Sequence, residues 1–266
     1  MQKKLNSLTE LEVTQQQKQF KVLLIGDSCI DKYVYGVVDR ISPEAPVPVL
    51  KWEREERTGG MAWNVYYNLL SFGMNVSIIT NEEQPIKTRY VDLKSNQQIM
   101  RLDERDEVGD FGYTLPDNKY DALVISDYNK GFISAEMLNH LVNWFDGPVF
   151  VDTKKPMVPP TKAFIKINEY EHARVGETTD RMIITRGSKG AEYQGKLYPG
   201  VKVNTFDVCG AGDTFLSALV YYYLIHNKIE TAIPFANKAA AIAVQNQGTY
   251  ILSQRDINEL ASDIIC

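Results

Sequence analysis

Six apolar segments of strand length recur along this chain of 266 residues, and helical segments lie between several of them. The first, 21–26, is almost continuously apolar and stops at a glycine, which is typical of a strand buried on both faces. The other five are 76–80, 122–126, 149–152, 163–167 and 182–185, and the helical segments are 62–72, 135–145, 213–226 and 230–245. Because strands that alternate with helices form a parallel sheet covered on both sides, the sequence predicts an α/β fold.

Two regions interrupt this alternation. Residues 33–37 and 47–52, with a proline-rich stretch between them, predict short strands outside the main sheet. Residues 87–103 predict two more strands that are joined around 94–96. We expect one domain over 21–266, after an N-terminal appendage at 1–20, with an inserted β-sheet lid from about 32–58 and 87–104 that covers a site.

Charge and cysteine content exclude several classes of protein. The chain has 29 Lys and Arg against 34 Asp and Glu, a net charge of −5, with no long basic run, so we expect no nucleic-acid partner. The three cysteines are far apart, which disfavours a disulfide framework or a paired-cysteine zinc site. No apolar stretch reaches the ~20 residues of a membrane span, and 1–20 lacks the apolar run of a signal peptide. We therefore expect a cytoplasmic protein with no membrane partner.

The most informative segment is 207–215, with the sequence DVCGAGDTF, which leads directly into an apolar helical pattern. Gly210 and Gly212 have no Cβ atoms, so backbone N–H groups can crowd around an anion at a helix N-terminus. Asp213 would then lie beside that anion. Taken alone, the motif favours an ordinary junction of loop and helix, with Asp213 as the N-cap.

Three other kinds of site fail on residue identity. A dinucleotide-binding fingerprint would need a third glycine at Phe215. Residues 190–196 have the spacing of a P-loop, but Leu197 replaces the required Ser or Thr and the flanking residues predict a hairpin. The three histidines are isolated from one another, which leaves little support for a histidine metal site or a Ser-His-Asp hydrolase.

Five motifs follow one another along the chain: Gly26-Asp27 with Asp31, Gly59-Gly60 with Asn64, Asn168-x-x-Glu171, Thr185-Arg186-Gly187-x-x-Gly190, and 207–213. In this order they resemble the ribokinase-like (PfkB) carbohydrate kinases. Within that family, segments 30–36, 40–49, 96–103 and 126–131 look most like the kinase domain of bacterial heptose-7-phosphate kinase/adenylyltransferases. The resemblance covers about 21–253, and it implies a three-layer α/β/α sandwich with a mostly parallel central sheet and a small β-sheet lid.

The chain departs from the family's pattern at several places. Only 81–86 separate two strands between which the family usually has a Gly-x-Asp-x-x-Gly element and helices, and the stretch from Glu171 to Arg181 is also short. Cys209 stands where Thr or Ser is usual, and no segment matches the adenylyltransferase domain. The resemblance is therefore to a shortened kinase domain.

The resemblance implies a sugar kinase that transfers the γ-phosphoryl group of ATP to a hydroxyl of a heptose 7-phosphate or a related phosphosugar. Asp213 would take the hydroxyl proton, while the N–H groups of Gly210, Ala211, Gly212 and Asp213 itself would stabilise the developing charge. Asn168 and Glu171, three residues apart on a helical turn, would hold Mg²⁺ through water molecules, although the pair taken alone favours a surface helix cap. Some family members also bind a monovalent cation near the glycine-rich segment at 210–213.

The resemblance also implies contacts to the acceptor and to the nucleotide. The acceptor-binding residues are Asp27, Asp31, Gly59, Gly60, Asn64, Arg101, Asp103 and Lys130. The candidate cations for a phosphate on the acceptor are Arg40, Lys87, Arg89, Arg101 and Lys130, of which Arg101 and Lys130 stand inside matched motifs. The ATP-binding residues are Asn168, Thr185, Arg186, Gly187, Gly190, Gly210, Gly212 and Asn237, with Gly248 and Thr249 at the adenine rim. Singly, each of these could instead be a capping, turn or solvated surface residue.

Two other functions stay open: a PfkB-type kinase for another sugar or nucleoside, and a catalytically weak sugar- or nucleotide-binding protein. The presence of Asp213 together with Asn168 and Glu171 favours the kinase. We also expect a homodimer through the lid. Tyr33, Tyr35 and Val37 alternate on one lid strand, which predicts an apolar face that a few strands cannot bury alone.

Overall fold

The computed structural model describes residues 19–156, 162–175 and 178–262. All but the end of the expected N-terminal appendage lies outside these residues. The strands are β1 Lys21–Gly26, β2 Ser28–Ile41, β3 Pro48–Met61, β4 Asn75–Thr80, β5 Ile86–Asp92, β6 Gln97–Glu104, β7 Ala122–Asp127, β8 Val149–Thr153, β9 Phe164–Asn168, β10 Met182–Thr185, β11 Gly190–Tyr193 and β12 Lys196–Pro199. The helices are α1 Ala62–Ser71, α2 Ala135–Trp144, α3 Glu169–His172, α4 Ala211–His226, α5 Ile229–Ala243 and α6 Gln254–Ser262.

Eight of these strands form the main sheet in the order β12-β11-β10-β9-β8-β7-β1-β4. Strands β4, β1, β7, β8, β9 and β10 are parallel, and β10, β11 and β12 pair antiparallel. The stretch 190–196, whose spacing resembles a P-loop, therefore belongs to the hairpin that its flanks predicted. The predicted α/β fold with a mostly parallel sheet is confirmed.

Helices cover both faces of the main sheet because its strands are apolar on both sides. In β1, Val22 and Leu24 pack into one core with α1, α4 and α5. Leu23 and Ile25, which alternate with them, pack into a second core with α2. This alternation of side chains is expected of a strand, and here it supplies two helix layers with apolar surface.

The remaining four strands form a separate sheet in the order β3-β2-β5-β6, which we call the cover sheet. A single residue, Asp27, separates its first strand, β2, from the end of β1. Strands β2 and β3 are both longer than the sequence predicted. The register pairs Tyr33 with Arg89 and Arg89 with Arg101, so these three side chains share one face. Tyr33 and Tyr35 are only 6% and 7% exposed. The expectation that these tyrosines form an uncovered apolar face is therefore wrong.

Both connections that the sequence marked as short are short in the structure. Residues 81–85 join β4 to β5, and the single helical turn α3 begins the connection from β9 to β10. The longer segment between β6 and β7 is irregular and is held by backbone bonds of 2.9 Å from Val108 to Lys130 and from Phe111 to Phe132. None of the helices in the described ranges is long and apolar enough to cross a membrane.

Candidate active site

The glycine-rich turn at 210–213 opens α4 at one end of the parallel strands. Gly210 is the N-cap, with a φ of +74°, and Asp213 is the third helical residue and not the N-cap. A Cβ on Gly210 would lie 2.6 Å from Nδ2 of Asn64, and one on Gly212 would lie 2.7 Å from Nζ of Lys166. Gly210 therefore requires glycine, because a side chain there would be strained at this φ and would meet Asn64, whereas a Cβ on Gly212 would have to displace the ammonium group of Lys166.

Two backbone N–H groups of this turn are available to an anion. The N–H of Ala211 donates to the carbonyl of Val208 at 3.3 Å, and that of Asp213 to the carbonyl of Gly210 at 3.0 Å. The N–H groups of Gly210 and Gly212 have no acceptor among the described residues. At the positive end of a helix dipole, these two amides can accommodate a phosphate oxygen.

Asp213 is a buried carboxylate that is held by two side chains. Its Oδ2 accepts a hydrogen bond of 2.9 Å from Nδ2 of Asn64, and its Oδ1 accepts one of 2.7 Å from the hydroxyl of Tyr128. Burial raises the pKa of Asp213, and the charge of Asp152 adds to that rise, although both hydrogen bonds and the charge of Lys166 oppose it. A carboxylate with a raised pKa is suited to accept a proton from a hydroxyl group.

Two cavities meet at the glycine-rich turn. One, of about 310 Å³, includes Gly210 and Asp213 in its lining and lies beneath the cover sheet. The other, of about 300 Å³, includes Ala211 and Gly212 and lies between the β10–β11 connection and α5. We call them the acceptor cavity and the nucleotide cavity, after the ligands that the sequence resemblance implies. A group transferred between ligands in the two cavities would pass the turn.

Positive side chains dominate the lining of the acceptor cavity. Among the described residues, two carboxylates line it, those of Asp31 and Asp213, against five cations. The cations are Lys87, Arg89, Arg101, Lys130 and Lys154. This excess of positive charge suits an anionic ligand.

Four of these cations have carboxylate partners. Arg89 forms an ion pair with Asp31, Arg101 with Asp103 at 2.8 Å, Lys130 with Asp106, and Lys154 with Glu171 at 3.4 Å. Lys87 forms no ion pair with any described residue, and its Nζ lies 6.0 Å from the ring centre of Tyr128. Lys87 is thus the lining cation most available to a ligand.

Asp27 lies close to the acceptor cavity but outside its lining. The residue is fully buried, and its Oδ2 accepts a hydrogen bond of 2.6 Å from the N–H of Tyr128. Its Oδ1 is buried with no partner among the described residues. Burial, together with the charge of Asp127, raises the pKa of Asp27 to about 6.

The other predicted acceptor residues have different surroundings. Asn64 contacts Asp213 from α1. Gly59 and Gly60 lie within β3, where a Cβ on Gly60 would lie 2.1 Å from Oδ2 of Asp31. Asp103 is outside the lining and pairs with Arg101, and Arg40 lies near the exposed end of β2, outside the lining.

The nucleotide cavity brings together most of the residues that the sequence assigned to ATP. Its lining includes Thr185, Gly187, Gly190, Gly212 and Asn237. The lining is largely apolar and also includes Ala240, Ala241 and Val244. Thr249 was expected at the adenine rim, but it lines the acceptor cavity. Arg186 is outside the lining and pairs with Glu192 at 2.7 Å.

Asn168 and Glu171 form a capping box at the start of α3. Oδ1 of Asn168 accepts from the N–H of Glu171 at 2.9 Å, and Oε2 of Glu171 accepts from the N–H of Asn168 at 2.8 Å. Asn168 and Glu171 therefore do cap a helix, which was the other explanation of this pair. Oε1 of Glu171 accepts a hydrogen bond of 3.4 Å from Nζ of Lys154. Since a carboxylate oxygen can accept a second hydrogen bond, Oε1 can still bind a water molecule. No cluster of three potential metal ligands occurs in the described parts of the chain.

Sequence reasoning missed two contributions to this site. Tyr128 lies within segment 126–131, which resembles the heptose-7-phosphate kinases. No feature of the sequence, however, indicates its hydrogen bond to Asp213, which is 85 positions away. Lys166 forms a buried ion pair of 2.7 Å with Asp152 directly beneath Gly212. Here a signal existed, because a lysine in the middle of an apolar strand must have a buried partner.

Comparison with known proteins agrees with this geometry. The sequence profile described as "pfkB family carbohydrate kinase" matches residues 166–256, which contain β9, the glycine-rich turn and α5. The Bifunctional protein HldE of a Nitratiruptor species is 30% identical over 92% of this chain. Over residues 166–256 the chain is thus similar to the pfkB carbohydrate kinases, and over most of its length it is similar to an HldE protein.

The chain spans about 65% of the length of the curated relatives it matches. A second such relative, the Bifunctional protein HldE of Campylobacter curvus, is 28% identical over 91% of this chain and 65% of its own length. The expected similarity to a shortened HldE-type kinase domain is thus confirmed.

Solved structures share the fold of this chain at low sequence identity. Ribokinase from Thermotoga maritima superposes with a TM-score of 0.66 at 17% identity, covering 91% of this chain and 99% of that one. Ribokinase from Arabidopsis thaliana, complexed with ribose and ATP, gives a TM-score of 0.65 at 14% identity, covering 91% and 98%. The ribokinase-like fold is confirmed.

Proposed function

We propose that this protein is a kinase, which transfers the γ-phosphoryl group of ATP to a hydroxyl of a phosphorylated sugar, a heptose 7-phosphate or a related phosphosugar. The observation that carries the proposal is the meeting of two cavities at the turn 210–213, with a cation-rich lining on one side. The motifs that resemble heptose-7-phosphate kinases contribute Arg101 and Lys130 to that lining.

The reaction needs a base on the acceptor side and charge stabilisation between the ligands. Asp213 would take the proton of the acceptor hydroxyl while the oxygen of that hydroxyl forms a bond to the γ-phosphorus. The bond from that phosphorus to the bridging oxygen breaks, and ADP leaves with the electron pair. The free N–H groups of Gly210 and Gly212 would donate to the transferring group, which supports the role assigned to the turn.

An anionic acceptor is supported by the imbalance of charge around its cavity. Lys87 has no carboxylate partner among the described residues, while Arg101 and Lys130 are paired only at exposed or half-exposed carboxylates. A phosphate on the acceptor can displace such exchangeable partners, because a doubly charged group pairs more strongly with a fixed cation. An uncharged sugar would leave Lys87 without a partner.

Mg²⁺ would enter with the phosphates of ATP, where it neutralises their charge and helps to orient them. Glu171 fits an outer position. One of its oxygens is engaged in the capping box, and the other accepts a hydrogen bond of 3.4 Å from Lys154 and has a second lone pair for a water molecule of the ion. Asn168 uses its oxygen in the same box and would orient Glu171. A monovalent cation near the turn also belongs to the proposal, and a comparison of activity in potassium and choline salts tests it.

We also propose a homodimer through the outer face of the cover sheet. The register pairs Val34 with Tyr90 and Tyr90 with Met100, which puts these residues on the face opposite Arg89 and the acceptor cavity. Met100 and Leu102 on that face are 53% and 43% exposed. A second copy of the chain could cover both and also protect the edge strand β6.

A panel of sugars and sugar phosphates, assayed for ADP release, tests the function. We expect a heptose 7-phosphate, or another sugar with a distal phosphate, to give a higher kcat/KM than its unphosphorylated counterpart. A higher kcat/KM for free ribose or a hexose would contradict the assigned acceptor while leaving the family intact. Absence of ADP release with every acceptor would favour a binding protein.

A further inference from the structure

Tyr128 lies in the loop that follows β7, and the function proposed above gives it no role. Its hydroxyl donates to Oδ1 of Asp213 at 2.7 Å, while Asn64 donates to Oδ2 at 2.9 Å. Both oxygens of the carboxylate are thus held, from the loop and from α1. Each carboxylate oxygen can accept a second hydrogen bond, so Asp213 can still receive one from an acceptor hydroxyl.

The loop that carries Tyr128 is fixed by two buried carboxylates. Asp27 accepts from the N–H of Tyr128 at 2.6 Å. Asp127 accepts from the N–H of Asn129 at 2.9 Å and from Nζ of Lys155 at 2.8 Å. Asp27 and Asp127 are at most 1% exposed. Because a buried carboxylate is unfavourable unless it is satisfied, these bonds strongly constrain the backbone on either side of the phenol.

The ring of Tyr128 is also fixed from the acceptor cavity, whose lining it shares with Asp213. The Nζ atoms of Lys154 and Lys87 lie 4.4 and 6.0 Å from its ring centre. Ammonium groups at these distances are attracted to the ring face and restrict its orientation. The hydroxyl therefore has a defined position relative to the base.

We infer that Tyr128 is a positioning residue for the phosphoryl transfer, whose hydroxyl orients the Asp213 carboxylate toward the acceptor and keeps it ionised until the acceptor binds. The inference rests on the proposed function, in which Asp213 is the base. Tyr128 keeps its own proton throughout, since burial and the charge of Asp213 raise its pKa well above the ordinary value. The proton of the acceptor hydroxyl goes to Asp213 alone.

The electrostatics of Asp213 give this inference a measurable sign. Burial and the charge of Asp152 raise the pKa of the carboxyl, and the bond from Tyr128 lowers it. Loss of that bond must therefore raise the pKa further. The titratable, charged and hydrogen-bonding groups that face the carboxyl are Cys29 on β2, Asn64 on α1, Tyr128 on the loop after β7, Asp152 on β8 and Lys166 on β9.

The test is Tyr128→Phe, which removes one oxygen atom and leaves the ring. We expect kcat to fall on the order of 10- to 100-fold, because a hydrogen bond to a charged group is lost. The acid limb of the kcat profile should move up by about one pH unit, and the KM for ATP should not change. A purely structural role would lower kcat equally at every pH.

Tyr250→Phe is the matched control, since the hydroxyl of Tyr250 also donates to a carboxylate, that of Asp256, at 2.7 Å. We expect this variant to keep the wild-type kcat and pH profile. Unchanged kinetics in Tyr128→Phe, or a loss of kcat with an unmoved acid limb, would overturn the inference.

A second measurement separates failure of this inference from failure of the proposed function. Carboxyl carbon NMR titration of the ligand-free protein reports the pKa of Asp213 without any turnover. We expect a higher pKa in Tyr128→Phe than in the wild-type protein, and an equal pKa overturns the inference. If the wild-type protein phosphorylates no acceptor while the pKa shift is present, the proposed function fails and the contact between Tyr128 and Asp213 stands.

Discussion

The ammonium group of Lys166 lies 2.7 Å from the point that a Cβ on Gly212 would occupy. Lys166 itself is held by Asp152 at 2.7 Å on the neighbouring strand β8. Burial opposes the charge of Lys166, but Asp152 and the more distant Asp213 and Glu171 raise its pKa. A buried cation therefore lies directly beneath the turn that joins the two cavities. Because of this contact, a side chain at position 212 would collide with the ammonium group of Lys166.

Replacing Gly212 with alanine should damage the turn more than the fold. The new methyl group must displace the ammonium of Lys166 or shift the turn, and a displacement of about 1 Å at a reacting centre costs on the order of 100-fold in rate. Overpacking should also lower the free energy of unfolding by about 1–3 kcal/mol. Steady-state kinetics and urea unfolding measure the two effects. Gly109→Ala is the control, because nothing lies within 4 Å of a Cβ there, and a Gly212→Ala enzyme as active as this control would refute the prediction.

Asp27 should make the protein less stable as the pH rises from about 4 to about 6. Its pKa is about 6 in the folded chain and 3.8 ordinarily, so the folded state binds more protons than the unfolded state in this range. The stabilisation is fully present at low pH, is lost as the pH rises through that range, and amounts to at most about 3 kcal/mol. Asp27→Asn should therefore be more stable than wild type at pH 7, and the difference should shrink toward pH 4. Urea unfolding of both proteins at the two pH values checks this, and a difference that does not change with pH would contradict it.

Lys87 should discriminate between charged and uncharged acceptors. Lys87→Met should raise the KM of a phosphorylated acceptor on the order of 10- to 100-fold, since a charge-assisted hydrogen bond is lost. The KM of ATP should not change. Lys87→Arg should recover part of the loss, and Lys51→Met, an exposed change elsewhere on the cover sheet, should have no effect. An equal rise for phosphorylated and unphosphorylated acceptors would show that Lys87 does not bind the phosphate.

The strands and helices of the main domain could be predicted from the sequence because their information is local. The apolar run at 21–26 and the helix after the glycine-rich turn are readable from side-chain pattern alone, and their bounds differ from the structure by at most two residues. The cover sheet was harder. Its strands β2 and β3 contain many charged residues, so the predicted strands were too short: 33–37 began late and ended early, and 47–52 ended early.

The side of the cover sheet on which each residue lies could not be predicted, because register between strands is not a local property. Alternation correctly put Tyr33 and Tyr35 on one face, but only the pairing with Arg89 shows that this face lies toward the acceptor cavity. The same reason hid the contacts of Asp213 with Tyr128 and Asn64, which join residues 85 and 149 positions apart.

The outer face of the cover sheet should hold two copies of the chain together. We expect light scattering across a dilution series to give twice 30.2 kDa for the wild-type protein. Met100→Glu combined with Leu102→Glu should give the monomer mass, because charges would then face each other across the interface. Leu197→Glu, an equally exposed apolar position on the main-sheet hairpin, should remain dimeric. A mass of 30.2 kDa at every wild-type concentration, with full kinase activity, would rule out the dimer as the working form.

The most direct test of the proposed chemistry is the turnover of Asp213→Asn, measured as ADP release with the best acceptor from the panel. We expect the variant to keep its fold and its affinity for ATP, because asparagine occupies the same volume between Asn64 and Tyr128. Turnover should fall by ~10²–10⁴-fold or more, the range for loss of a positioned general base. Turnover close to that of the wild-type enzyme, in a variant that binds both ligands normally, would contradict the assignment of Asp213 as the base.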